Sequence, residues 1–559
     1  MGVRDPARAS ISKETRAMKI ALYPIGRWPP AYFFIAGLAL LLAGRAVIQL
    51  LLYRAGFEAL VADDFARTVL AARWAQAPFL LWRGNWLPFH TYLYGTALRL
   101  AWDLVWVPRF LSLAFGAASI VLMAQVGAVL FDNRLAGLTA GILLAANPTH
   151  IWLSATPLTE IAYTSLVLGC ALCLICYLKA GQLRLLLASA LLLALANGFH
   201  YESWLASVIF SLCLGGIAAL QASRRITSRR QVLLTIGAAG LPWALPAAWV
   251  IGNYQASGEW FSFLTAIQAY KLAWYGPAHS LGYYWETFLK IDPYGLVLGI
   301  LALVVLALGP ALAALRRRVW PAQPLPAFFY ASFGIAPFLL FALLHQGQYE
   351  PSNNFFRYLA PYSFMFYPLA AWLVVTGIYR LLHTGAARAV SLAAILALIV
   401  VAQVRTAFRF RADPHARGLA VGLRLRALRE QNPAYAGRPA LLEVHYWEYL
   451  AVLVGADDIT TIAYDRQPDI ERRSTPSLFR ETTSRVQDCL TSNGVGYLVV
   501  KSAHARRLAE QTLQLIPTDQ VNGYVFYQVP EESFSRPLLG QVECILPGES
   551  RRLTAGSAP

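Results

Sequence analysis

The chain has 559 residues, of which 57% are hydrophobic and only 14% are charged. Soluble globular domains carry about 25% charged residues, so this composition excludes an ordinary soluble protein. The formal net charge of +17 lies largely in short segments beside apolar runs, which favours control of membrane topology and argues against a nucleic-acid partner.

Apolar runs of about 20 residues recur along the first 400 positions, and each can cross a hydrocarbon core of ~30 Å as a helix. The first 30 residues carry six lysines and arginines and are predicted to stay in the cytoplasm. The spans that we predict lie, in chain order, at 31–53, 105–131, 135–153, 160–178, 184–197, 204–221, 232–251, 294–314, 326–345, 361–380 and 386–404. The pattern therefore predicts a mainly α, polytopic membrane protein with about eleven transmembrane helices.

The region 184–221 contains the polar break Asn197–Glu202 and is interpreted as two spans. With two spans, the arginines at 224, 225, 229 and 230 fall on the cytoplasmic side together with other basic loops. The loops 54–104, 252–293 and 346–360 then face outside, and the localisation is an inner (plasma) membrane with a cytoplasmic N-terminus.

After the last span the composition changes to that of a soluble protein. Residues 415–431 have the pattern of an amphipathic helix, and short β-rich runs follow at 440–445, 497–500 and 524–529. We expect 405–559 to form an extracytoplasmic α/β domain beyond the membrane module 31–404. Cys489 and Cys544 could pair there in an oxidising compartment, which a sequence alone does not decide.

Two adjacent carboxylates, Asp63 and Asp64, follow the first span. Their outer location near a predicted surface helix makes them candidate catalytic residues, because a carboxylate can act as the base that activates an incoming hydroxyl. Capping of that helix is the alternative explanation for one of the two.

Further acidic and neutral candidates lie on the same outer face. Glu160 begins the fourth span, and Glu202 begins the sixth beside Tyr201; helix N-terminal capping is the alternative for both acids. His90 lies at the interface and is a candidate phosphate or acceptor contact. We therefore predict a catalytic role for Glu160 and substrate contacts for His90, Tyr201 and Glu202.

Three arginines are candidates to bind an anionic ligand such as a phosphate. Arg357 is a basic residue in a loop predicted to be outside, where a cation runs against the charge bias; a salt bridge to Glu350 or another carboxylate is the alternative. Arg45 lies within the first span and Arg109 at the outer start of the second. Each of these two could contact phosphate or neutralise an acid.

An acidic pair after the first span, an acidic residue entering the fourth span and the Arg-Tyr-x-x-Pro run at 357–361 together resemble the GT-C glycosyltransferases. The likeness is greatest to the branch of protein O-mannosyltransferases and the lipid A aminoarabinose transferase, and it covers about 31–404. In those relatives the acidic pair is usually Asp-Glu, whereas here it is Asp-Asp.

The resemblance implies an inverting transferase of the cell envelope that moves a hexosyl or pentosyl group from a polyprenyl-phosphate donor to a lipid, glycan or protein acceptor. It implies that Asp63 is the catalytic base, with Asp64 beside it, and that Glu160 supports them while Arg357 contacts the donor phosphate. It leaves the use of a divalent cation open, since some of these enzymes bind one and others do not.

Two other classes of function remain. A multi-pass transporter or flippase would also have about eleven spans, but it should carry ionisable residues near the midplane or hydropathy repeats. The acids gather instead on one rim, and Arg45 is the single midplane candidate. The second class is a non-catalytic scaffold that binds cell-wall polymer through its outer domain.

Overall fold

The computed structural model of this chain describes a helical membrane module followed by a small α/β domain. Described residues, the basis of every statement below, are 31–81, 84–223, 228–267, 282–315, 329–332, 334, 336–337, 339, 355–410, 413–465, 477–480 and 483–530. Cys544, most of the predicted span 326–345 and the loop 346–354 lie outside them.

Sixteen helices of the described residues precede the α/β domain. They are α1 (Ala31–Arg54), α2 (Asp63–Gln76), α3 (Pro88–Leu100), α4 (Trp106–Leu130), α5 (Arg134–Ala146), α6 (Pro148–Ala155), α7 (Thr159–Ala180), α8 (Leu183–Asn197), α9 (Glu202–Ser223), α10 (Arg229–Gly240), α11 (Ala244–Ser257), α12 (Gly282–Ile291), α13 (Pro293–Leu315), α14 (Ala360–Phe364), α15 (Tyr367–Leu381) and α16 (Gly385–Ala407).

The described part of the chain has seven helical segments long and apolar enough to cross a membrane, and three shorter apolar helices accompany them. These ten coincide with ten of the eleven predicted spans. The predicted span 135–153 is in fact two helices, α5 and α6. Pro148 has no backbone N–H to continue α5, and the side chain of Asn147 accepts from His150 N to begin α6.

The α/β domain confirms the prediction of a small C-terminal sheet. Its strands are β1 (Ala440–Leu442), β2 (Ile462–Tyr464), β3 (Tyr497–Val500), β4 (Pro517–Val521) and β5 (Tyr524–Gln528). Their order in the sheet is β2-β1-β3-β5-β4, with β2, β1 and β3 parallel and β5 antiparallel to its neighbours. The helices of the domain are α17 (Arg417–Gln431), α18 (Tyr446–Ala456), α19 (Thr483–Ser492) and α20 (Ala503–Arg507).

One hydrophobic cluster joins this domain to the helices that follow the first span. Phe65 and Val69 of α2 and Leu98 of α3 are buried in the same cluster as Leu419 of α17 and Leu450 of α18. The backbone N–H of Leu104 also donates to Asp457 Oδ1 at 2.8 Å. The domain therefore lies on the same side of the membrane module as Asp63.

Candidate active site

Arg357 joins two of the predicted acids in one buried cluster. Its Nη2 lies 2.7 Å from Asp63 Oδ2, and its Nε lies 2.7 Å from Glu160 Oε1. The side chains of Arg357 and Glu160 are 3% and 1% exposed, whereas that of Asp63 is 23% exposed. Of the two acids, only Asp63 is therefore open to a ligand from solvent.

Three separate elements deliver this cluster. Asp63 is the first residue of α2, and Glu160 is the second residue of α7, where Thr159 Oγ1 donates to Glu160 Oε2 at 3.1 Å. Arg357 lies in a 3₁₀ turn, Phe355–Tyr358, ahead of α14. Tyr163, one turn into α7, donates to the carbonyl of Tyr358 at 2.7 Å and so fixes that turn against α7.

Asp64 turns away from the cluster and closes the loop before α2. Its Oδ2 accepts from the backbone N–H of Leu60 at 2.7 Å and of Val61 at 3.3 Å. The side chain is buried, and this burial raises the pKa of Asp64 to about 8. Asp64 therefore orients the start of α2, and Asp63 presents the accessible carboxylate.

Arg67 is a second cation at this site. The sequence interpretation assigned no role to this residue. It lies one helical turn after Asp63 and is buried, with its guanidinium carbon 4.6 Å from the centre of the Trp86 ring. Burial lowers its pKa, while the neighbouring charges of Asp63 and Glu160 oppose that shift. The i, i+4 spacing of Asp63 and Arg67 on one helix face was the signal available in the sequence.

The turn between α8 and α9 forms one wall of the site through His200, another residue that the sequence interpretation passed over. Nδ1 of His200 pairs with the carboxylate of Glu202, and its ring lies 5.0 Å from Tyr163 and 5.2 Å from Tyr358 between centroids. Burial, reinforced by Arg67 and Arg357, holds the pKa of His200 well below its usual value. His200 is therefore neutral. Glu202 contacts His200, and it is the ring of His200 that lies beside Tyr163 and Tyr358 at the site.

Tyr201 points into a different group of aromatic residues. Its ring stacks on Phe263 at a centroid distance of 5.3 Å and contacts Trp204 edge-on. This places Tyr201 beside the site wall and not in the Arg357 cluster.

His90 supports the segment that carries Glu160. Its Nε2 donates to the carbonyl of Pro157 at 2.7 Å, and its ring stacks on Tyr94 at 4.1 Å. Burial, with a further contribution from Arg67, lowers the pKa of His90 well below its ordinary value. A neutral His90 therefore ties α3 to the residues that precede α7.

Arg45 and Arg109 contact main-chain carbonyls. Arg45 Nη2 donates to the carbonyls of His150 and Ile151, at 3.2 and 3.3 Å, and thereby joins α1 to α6. Arg109 Nη2 donates to the carbonyl of Glu58 at 2.8 Å. The structure brings neither into the ion-pair cluster of Arg357.

The described residues hold no group of three or more His, Cys, Asp or Glu side chains placed to bind a metal ion. Asp63 and Glu160 already share the guanidinium of Arg357. A cation binding here would have to compete with that arginine.

No protein-family model matches the sequence, and no curated protein matches it. Solved structures do match the fold. ArnT from Cupriavidus metallidurans bound to undecaprenyl phosphate aligns with a TM-score of 0.56 and 11% identity, over 89% of this chain and 99% of that one. The apo form of the same protein aligns with a TM-score of 0.53 and 13% identity, over the same shares of the two chains.

A third match, AglB from Archaeoglobus fulgidus in complex with an inhibitory peptide and a dolichol-phosphate, has a TM-score of 0.49 and 14% identity, over 92% of this chain and 76% of that one. The two ArnT structures show that this chain has the GT-C membrane fold. The fold predicted from the sequence is thus confirmed.

Proposed function

We propose that this protein is an inverting membrane glycosyltransferase that moves a sugar from a polyprenyl-phosphate donor to an acceptor hydroxyl. The observation that carries the proposal is the cluster in which Arg357 binds Asp63 and Glu160. It joins the accessible carboxylate of Asp63, at the start of α2, to a buried cation, on the fold that ArnT adopts. The ligand bound in that ArnT structure, undecaprenyl phosphate, supports the donor class.

Asp63 is the general base in this proposal. One of its oxygens is held by Arg357, and the carboxylate is the more exposed of the two in the cluster. As the acceptor oxygen attacks the anomeric carbon, its proton passes to Asp63. The bond from that carbon to the phosphate oxygen breaks on the opposite face, which inverts the configuration at the carbon.

Arg357 and Arg67 receive the leaving group. Negative charge grows on the polyprenyl phosphate as the sugar departs, and guanidinium groups held in a buried site stabilise that charge strongly. Glu160 keeps Arg357 in place from the side away from solvent. Arg67 lies on the same helix as Asp63, so the base and this cation are positioned by one element.

The transfer takes place on the extracytoplasmic face in this proposal. The α/β domain packs on α2 and α3, so it shares a side with the site, and the distribution of basic residues favours the outside for both. We propose a cytoplasmic segment 1–30, a membrane module 31–404 and an extracytoplasmic domain 405–559. The transferred sugar is a hexosyl or pentosyl group in this proposal, and the acceptor is a lipid, a glycan or a protein.

The test uses purified protein in lipid nanodiscs with a panel of radiolabelled polyprenyl-phosphate sugars and an extract of envelope lipids and glycans as acceptors. Wild type should release polyprenyl phosphate and transfer the label. The Asp63→Asn variant should transfer the label at least about 100-fold more slowly, since a positioned general base accelerates a reaction by a factor on the order of 10²–10⁴. Equal rates in wild type and in this variant would remove Asp63 from the mechanism, and an inactive wild type would overturn the proposed function.

A further inference from the structure

The last two turns of α17 carry two arginines and a glutamate on one face. Arg426, Arg429 and Glu430 stand at positions i, i+3 and i+4 of the helix and are therefore neighbours on its surface. Together with residues of the segment between α18 and β2, they line a cavity of about 400 Å³. Pockets of this size hold small molecules or the polar part of a larger one.

Arg429 is held in the wall of this cavity by an ionised aspartate. Its Nη1 donates to Asp458 Oδ2 at 2.7 Å, and its Nη2 donates to the carbonyl of Arg438 and the hydroxyl of Thr461, at 2.8 and 3.1 Å. Burial alone would raise the pKa of Asp458, but hydrogen bonds from Thr461 and Thr460 lower it to about 2. Asp458 therefore compensates the charge of Arg429.

One N–H of this guanidinium is left over. Arg429 is 8% exposed, and its Nε is buried without a hydrogen-bond partner among the described residues. Buried polar groups are rarely left in this state, because an unsatisfied donor is costly. An N–H of this kind on the wall of a cavity indicates a ligand that supplies an acceptor.

Arg426 supplies a second, more accessible guanidinium to the same cavity. Its side chain is 39% exposed, and its Nε lies 3.1 Å from Oε1 of Glu430, whose side chain is 66% exposed. Its Nη1 lies 3.7 Å from Asp457 Oδ2, which is beyond hydrogen-bond distance. The cavity thus offers N–H donors to an anionic group and, beside them, an exposed carboxylate to a cationic group. A ligand that carries both charges satisfies both sides.

Asp457 places the cavity at the edge of the membrane module. It precedes the cavity residue Asp458, and its Oδ1 accepts from the backbone N–H of Leu104, two residues ahead of the span that begins at Trp106. The ring of Trp106 lies 5.8 Å from that of Tyr53, at the end of the first span. Two spans thus end at this level. The headgroup layer extends roughly 5–7 Å beyond the hydrocarbon, about two residues of chain, so the cavity lies at headgroup depth.

The corner of the molecule beside the cavity presents apolar side chains outward. Leu100, Trp102 and Phe110 are exposed, and Trp102 Nε1 donates to the carbonyl of Asp457 at 3.4 Å. Tryptophan concentrates at headgroup depth, and apolar side chains exposed next to a span face acyl chains. The ligand that matches this corner therefore has a charged head and apolar chains.

We propose that this boundary cavity, formed by Arg426, Arg429 and Glu430 beside Asp457, binds the headgroup of a phosphoethanolamine lipid. The phosphodiester accepts from Arg426 and from Nε of Arg429, and the ammonium donates to Glu430. A phosphoglycerol headgroup has no cation for the glutamate, and the trimethylammonium of phosphocholine has no N–H to donate. The bound lipid attaches the C-terminal domain to the membrane surface, a role that does not rest on the proposed function.

The experiment measures lipid binding by the full-length protein with native mass spectrometry, after titration in detergent with dioleoyl lipids that carry phosphoethanolamine, phosphocholine or phosphoglycerol. Wild type should bind the phosphoethanolamine lipid at least about fivefold more tightly than the other two. Arg426→Gln should weaken that binding about fivefold or more, because charge-assisted hydrogen bonds are roughly twice as strong as neutral ones. Arg417→Gln removes the same charge from an exposed residue at the start of α17 and should bind as wild type does.

A soluble probe separates a lipid from a free headgroup. Glycerophosphoethanolamine lacks acyl chains and should bind at least about tenfold more weakly than the lipid, and equal affinities would overturn the assignment of a lipid. Equal binding of the three lipids, or unchanged binding of the phosphoethanolamine lipid by Arg426→Gln, would overturn the proposal. If Arg426→Gln unfolds at a lower temperature than Arg417→Gln in lipid-free detergent, Arg426→Lys takes its place, since lysine keeps the charge but loses the planar fork. Wild-type binding by Arg426→Lys would then count against the site in the same way.

Discussion

The guanidinium of Arg357 lies 2.7 Å from the carboxylate of Asp63, although 294 positions of sequence separate the two residues. The same guanidinium lies 2.7 Å from Glu160, which is almost fully buried. Removing the arginine would take away the cation that contacts the buried carboxylate of Glu160, and breaking such a pair typically costs about 3–5 kcal/mol. Arg357 thus holds the site together and also supplies its positive charge.

A double variant separates these two roles of Arg357. Arg357→Gln should lower the unfolding temperature in detergent and abolish transfer. Adding Glu160→Gln removes the uncompensated buried charge, so the double variant should recover much of the stability while transfer stays at least about 100-fold below wild type. Thermal unfolding and transfer of label are measured on the same preparations. A double variant that transfers sugar normally would show that Arg357 has only a structural role.

Asp64 predicts a pH dependence of stability. Burial raises its pKa to about 8 in the folded protein, above a value of about 3.9 for an unfolded aspartate. The folded state therefore binds the proton more tightly, and this contribution to stability is fully present below about pH 4 and is lost as the pH rises to about 8. Asn keeps an oxygen that can accept from Leu60 and does not titrate.

The Asp64→Asn variant should consequently gain stability relative to wild type as the pH rises from 4 to 8. The measurement is the difference in unfolding temperature between the two proteins across this range. Glu430→Gln, an exposed acid, serves as the control and should show a difference that is flat with pH. A flat difference for Asp64→Asn as well would mean that Asp64 is ionised in the folded protein.

Arg67 predicts a specific loss on conservative substitution. Lysine keeps the charge that interacts with Asp63 and Glu160 but loses the planar guanidinium that lies over Trp86. Arg67→Lys should raise the KM for the donor about tenfold or more. Arg73→Lys, in the last turn of the same helix, should change it by less than about twofold. Equal effects of the two substitutions would exclude a special role for Arg67.

The outline of the site was accessible from the sequence because its parts are short, charged and set against apolar surroundings. Asp63, Glu160 and Arg357 stand out in this way, and the distribution of basic residues places them on one rim of the membrane. Periodicity likewise locates the spans, although the predicted span 135–153 ran across the Asn147-Pro148 pair at which the structure begins a new helix.

The direction in which each side chain points could not be predicted from the sequence. Asp64 and Asp63 are neighbours with the same chemistry, and the fold of the loop before α2 turns Asp64 toward the N–H groups of Leu60 and Val61, while Asp63 faces Arg357 from a distant segment. His200 lies in a turn whose geometry depends on Tyr362, whose hydroxyl donates to the carbonyl of Glu202 from a distant segment. Such choices are made by tertiary contacts, which leave no local pattern in the sequence.

The last prediction concerns the contact between α17 and α18, because both helices pack in one hydrophobic cluster with α2. A Cβ atom on Gly422 would overlap the carbonyl oxygen of Val452, a backbone atom that has no rotamer to move aside. Ala favours a helix over Gly by about 1 kcal/mol, but forcing an extra carbon into a packed contact typically costs about 1–3 kcal/mol. Gly422→Ala should therefore lower the unfolding temperature, and it should lower transfer as well, since α18 packs in one cluster with Phe65 and Val69 of α2.

Gly437→Ala is the control: it has open space around the new carbon and should leave the unfolding temperature and the transfer rate unchanged. If Gly422→Ala loses stability but transfers sugar at the wild-type rate, the C-terminal domain does not position the catalytic helix.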